Sequence, residues 1–149
     1  MRFSANWTKG QPQSKVYKFG YEIDASGRPM WKSEGIKSST DFRTRASNTV
    51  MNPDRNQFNS LVLWLELNGN GIQKMSGNDK NTYFEINLIA QEDGSTSSKP
   101  PTVSFKKVTV KSAKESIPPA DDADQHDSPT KTQIVSFTFE SVKASWEGD

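Results

Sequence analysis

His126, the chain's one histidine, stands among Asp121, Asp122, Asp124 and Asp127, and chemistry would first be sought there. Polar groups at the alternate positions Asp122, Asp124 and His126 begin the pattern of a calcium loop, in which oxygens two residues apart wrap a hard cation. The pattern goes no further. No glycine takes the sharp-turn position and no glutamate closes the site at its twelfth place, so the run reads as a solvated acidic loop. Serine catalysis with His126 would need a serine on a sharp Gly-x-Ser-x-Gly elbow, and none occurs. Gly69-Asn70-Gly71 follows an apolar run instead of linking a strand to a helix, so it reads as a helix C-cap and not a phosphate cradle. Lys106, Lys107, Lys111 and Lys114 make one basic strand with no interleaved aromatic platform for bases. No catalytic, cofactor-binding or metal-ligating residue is therefore assigned, and the chain does not read as an enzyme.

The tryptophans suggest contact instead. Trp64 lies in an apolar run and reads as core. Trp7, Trp31 and Trp146 sit near a terminus or a loop, where they either are partly exposed in a monomer, marking an interface or a sugar platform, or fold back on the barrel as edge residues.

Composition narrows the classes further. Nineteen basic residues oppose eighteen acidic ones, a net charge of +1, so no global field steers the protein to nucleic acid or an anionic membrane. The absence of cysteine removes disulfides, thiolate metal sites and thiol chemistry together. The first residues, Met1-Arg2-Phe3-Ser4-Ala5-Asn6-Trp7, contain no apolar core of a leader, and no apolar run is long enough to span a membrane. The expectation is synthesis in the cytosol and, if the protein leaves, a route without a cleavable signal. With 149 residues of which 32% are apolar, one domain with a modest core is expected, spanning 1–149 and suited to completing its stability by self-assembly.

Strands must do the positioning. Tyr17, Phe19, Tyr21 and Ile23 alternate with Lys18, Gly20, Glu22 and Asp24, the period of a strand with one packed face. That strand runs into Asp24-Ala25-Ser26-Gly27-Arg28-Pro29, rich in turn formers yet followed by the large groups Met30 and Trp31, which predicts a loop used for contact. Phe3, Ala5 and Trp7 predict an earlier strand, and residues 39–46 a polar one. A helix is predicted over about residues 53–67: Asn52 as N-cap, Pro53 at the first helical position, and Phe58, Leu61, Val62 and Leu65 on one stripe. Phe84, Ile86 and Leu88 mark the next strand. Val103 and Phe105 are apolar at odd positions and Val108 and Val110 at even ones, predicting a bulge at Lys106-Lys107. A long polar loop over 117–132 leads to a last strand over 134–144, with Val135, Phe137 and Phe139 on one side. The fold class is all-β, a small barrel or sandwich of about six to eight strands with one helix.

In this order, a strand leading into Glu22-Ile23-Asp24-Ala25-Ser26-Gly27-Arg28-Pro29, a polar strand, a helix ending in Leu-Val-Leu-Trp-Leu, a strand of Phe84-Glu85-Ile86 type, the Val103 to Val110 segment and the final Val135-Ser-Phe-Thr-Phe139 strand resemble the tube protein of type VI secretion systems. This is the haemolysin-coregulated protein (Hcp) family, and the Asp-Ala-Ser-Gly-Arg-Pro loop is most similar to its Bacteroidota branch. The resemblance implies a small β-barrel that assembles into hexameric rings, stacked into a tube that a contracting sheath drives into a target cell. It implies no active site, a self-partnered subunit that also meets sheath, spike and effector proteins, and no nucleic acid or membrane insertion. It also implies that the matching positions Glu22, Asp24, Ala25, Ser26, Gly27, Arg28 and Pro29 contact the neighbouring ring. The chain departs from the family in longer loops at 91–101 and 112–132 and in a single Gly35 where a glycine pair is usual. Two other readings remain open on the residues: a monomeric β-sandwich binding carbohydrate with calcium, from Trp31, Trp146 and the acidic loop, and the tail-tube subunit of a phage or related particle.

Overall fold

The alternating segments become strands that close on one another. The computed structural model describes residues 1–7, 13–24, 26, 28–49, 51, 60–67, 72, 84–94, 99–119 and 131–145. Their elements are β1 (Arg2–Asn6), β2 (Ser14–Glu22), β3 (Pro29–Trp31), α1 (Ser39–Ser47), β4 (Ser60–Glu66), β5 (Phe84–Gln91), β6 (Thr102–Ser116), β7 (Thr132–Thr138) and β8 (Ser141–Ser145). Antiparallel neighbours run β1-β5-β6-β7-β4-β2, and β1 pairs back onto β2, so six strands form a closed barrel with β3 added on β2 and β8 on β6. Closure pairs the backbone groups that an open sheet would leave at its edges. The observed architecture is the expected all-β barrel, and among the described residues its one helix has nine residues where one of about four turns was expected.

The barrel interior is the core. Phe19, Leu61, Leu63, Leu65, Ile86, Leu88, Val103, Phe105, Val135 and Phe137 are all fully buried, each contributing on the order of 2 kcal/mol by leaving water. Phe105 meets Phe137 and Phe139 edge-on at centroid distances of 5.6 and 4.9 Å, the geometry that sets the positive ring edge against the negative face.

The helix lies elsewhere than predicted. Residues 39–46, read as a polar strand, form α1, while the described part of the predicted helix, Ser60–Glu66, is strand β4. Two local causes make α1. Ser38 caps it by accepting from the Asp41 amide at 3.1 Å, and the Asp41 carboxylate returns to the Lys37 amide at 3.0 Å, a variant of the capping box. Phe42 and Ala46, four apart, form its buried face, with the Phe42 ring 6.1 Å from those of Phe3 and Phe19. For β4 the cause is tertiary. Leu61, Leu63 and Leu65 face inward with a strand's period, Val62 is also buried, and β4 lies between β2 and β7 with both neighbours paired. A short apolar run buried on both faces has no periodicity to distinguish strand from helix.

The bulge at Lys106-Lys107 is present. Phe84 pairs with Val108 and Ile86 with Phe105, so β6 carries one residue more than its partner, and Lys107 has φ 54°, a left-handed conformation that an extra residue in a ladder can take. A second irregularity, not foreseen, lies in β2 between Val16 and Lys18. It shifts the packed face, so Val16 and Phe19 point inward, Tyr17 is half-buried and Ile23 is 44% exposed. The strand read over 134–144 is interrupted at Phe139 and Glu140, and β8 continues along the same edge of β6.

Candidate functional site

The connection between β2 and β3 is built by a close approach and a carboxylate. Gly20 pairs with Trp31, and a Cβ on Gly20 would fall 1.9 Å from the Met30 carbonyl oxygen. Glycine is thus required for β3 to lie against β2. Beyond it the Ile23 amide donates to the Arg28 carbonyl at 2.8 Å, closing the loop at its base. Within it, Asp24 Oδ1 accepts from the Ser26 amide at 3.0 Å, the Ser26 hydroxyl at 2.5 Å and the Arg28 amide at 3.3 Å. This is an Asx turn, in which a side chain takes the place of a backbone acceptor. The Ser26 hydroxyl first, then the Arg28 amide, hold the Asp24 carboxyl below its ordinary value of 3.8, because each donor favours the charged form.

The residues expected to make contact divide into two groups. Asp24, Ser26 and Arg28 are exposed and Pro29 half-buried, while Ala25 and Gly27 lie outside the described residues. Glu22 is withdrawn from solvent: its side chain is 8% exposed, one oxygen lies 2.6 Å from the Lys111 ammonium of β6, and the other accepts from the Ser136 hydroxyl of β7. Ile23 and Met30, both exposed, flank the base of the loop, with the Tyr21 hydroxyl 3.0 Å from the Met30 sulfur.

Other sequence candidates are placed differently. Trp7 is 6% exposed, which selects the folded-back reading over the partly open one. Trp31 and Trp64 stack with centroids 5.9 Å apart, and the Trp64 indole donates to the Thr132 hydroxyl at 2.9 Å. Trp64 therefore stands on the face of β4 opposite the inward leucines and not in the core. Of the four lysines, Lys107 pairs with Glu140 at 3.4 Å and Lys111 with Glu22, while Lys106 and Lys114 are exposed. The run 121–127 with His126, Gly69-Asn70-Gly71 and Trp146 lie outside the described residues. Lys111 and Ser136 had no functional signal toward Glu22, being 89 and 114 residues away.

No protein-family model and no curated protein sequence matches the chain. Among solved structures it is similar to Hcp1 from Flavobacterium johnsoniae, with a TM-score of 0.53 and 12% identity over 98% of this chain and 96% of that one. Hcp1 from Salmonella typhimurium also matches, with a TM-score of 0.49 and 10% identity over 97% and 86%. Nearly end to end, this chain has an Hcp-like fold.

Proposed function

We propose that the protein is the structural subunit of a type VI secretion inner tube, forming hexameric rings that stack, are expelled by a contracting sheath and carry effectors. The observation that supports this most is the likeness to the F. johnsoniae protein across 98% of the chain, in agreement with the family that the loop and element order resemble. In this reading Asp24, Ala25, Ser26, Gly27, Arg28 and Pro29 meet the next ring, with Glu22 as the stem, and the work is done by surface complementarity without catalysis. A ring of identical subunits needs heterologous contacts that close, and a loop already ordered by Asp24 loses less entropy on docking than a free one.

Light scattering on the purified protein with negative-stain imaging of the same sample tests this. A mass near that of a hexamer with ring-shaped particles is the expected result. A strict monomer at high concentration, with no rings, overturns it. Appearance of the protein outside producing cells only when the sheath can contract would separate expulsion from mere assembly.

A further inference from the structure

A carboxylate at the foot of a surface loop would ordinarily face water. Glu22 does not, and withdrawing a charge from solvent is tolerated only when it is paired and hydrogen-bonded. Both of its oxygens are engaged, one by the Lys111 ammonium at 2.6 Å and the other by the Ser136 hydroxyl. Lys111 is placed for this by a third irregularity in the sheet. Val110 pairs with Phe137 and Ser112 with Ser136, so Lys111 is the extra residue of a bulge in β6, and bulges re-aim side chains. The result is a tie from the end of β2, past β4, to β7 and β6. The residue after Glu22 is Ile23, whose amide closes the loop onto Arg28.

We propose that Glu22, Lys111 and Ser136 form a latch that fixes the direction in which the 24–28 loop leaves the barrel. Its assembly role rests on the stacking reading above; its local role does not. Asp24 shapes the loop internally, but among the described residues no bond within the loop sets its angle to the wall. The latch does so, by joining the loop's stem to two strands with which β2 makes no ladder pairing. Glu22, Lys111 and Ser136 are positioning residues: the neighbouring ring meets the loop and not the latch.

Amide hydrogen exchange on the full chain tests this, comparing wild type with Lys111→Met and Glu22→Gln. Lys111→Met strands the Glu22 carboxylate, whose side chain is 8% exposed, whereas Glu22→Gln removes that charge together with its need for a partner, which keeps the test valid if the Lys111 variant folds poorly. The Ile23, Ser26 and Arg28 amides are expected to exchange about tenfold faster in Lys111→Met, with those of Leu63 and Val135 unchanged. The double variant should be no faster than either single one, and Lys111→Arg should retain protection. Loop amides that keep their protection in Lys111→Met overturn the latch. So does a rise shared equally by Leu63 and Val135, which would make the pair a general stabiliser. Exchange is read on the protomer, so a wild type that forms no stacks would remove the tube reading while leaving this result to decide the latch.

Discussion

The barrel wall and the 22–29 loop are held by opposite kinds of force. The wall at Phe105, Phe137 and Phe139 is apolar, buried and crossed by strands far apart in sequence. The loop is exposed and polar, shaped by one aspartate reaching two and four residues ahead. Burial scales with area and hardly depends on pH, whereas the loop's bonds depend on a charge. If the proposed stacking holds, stability and assembly reside on separate residues, and one can be damaged without the other. Gly20 and Glu22, at the junction, belong to both.

The largest effect should come from the wall. Phe137→Ala leaves a cavity between two rings and should cost about 3–5 kcal/mol, seen as a lower denaturation midpoint by circular dichroism. A loss below about 1 kcal/mol would mean that the interior collapses around the gap and that the wall is less rigid than described. Next comes the junction. Gly20→Ala forces its methyl against the Met30 carbonyl and should cost about 2–3 kcal/mol, separating β3 from β2 and parting Trp31 from Trp64. Tryptophan fluorescence reports this directly, and an unchanged spectrum would place the close approach elsewhere.

Inside the loop, Asp24→Ala should shorten tubes in electron micrographs while the thermal midpoint holds. Acid should act in the same place. Because the folded Asp24 carboxyl titrates below its unfolded value of 3.8, its contribution is fully present above that value and lost as pH falls through the lower folded one. Loop order, read from the Ser26 amide resonance, should therefore be flat near neutrality and fail only in strong acid. A transition near pH 6 would assign the switch to another group. The smallest effect on folding is expected for Arg28→Glu, within about 0.5 kcal/mol for an exposed site. It should nonetheless weaken stacking by reversing the charge at the loop tip, and tubes of unchanged length would remove Arg28 from the contact.

Much of the fold was legible because strand alternation is written locally. Phe84, Ile86 and Leu88, and the switch of phase from Phe105 to Val108, depend only on which neighbour points inward, so strands and bulge could be read without knowing their partners. The helix could not be placed that way. Ser38 and Asp41 with Phe42 and Ala46 were a sufficient local signal for α1, outweighed by the longer apolar run at 61–65, whose state depends on having β2 and β7 on either side. Length was the remaining clue, since five apolar residues suit a strand better than a helix of four turns.

The candidate site divides along the same line. From the residues alone came the turn at Asp24-Ala25-Ser26-Gly27-Arg28-Pro29, since an aspartate bonding to amides two and four positions on is a short-range event that composition reveals. The withdrawal of Glu22 from solvent, the tie to Lys111 and Ser136, the stacking of Trp31 on Trp64 and the burial of Trp7 were decided only when the barrel closed. Each joins elements whose separation in the chain carries no trace of their distance in space, and closure alone determines which charges leave water and must be paired there.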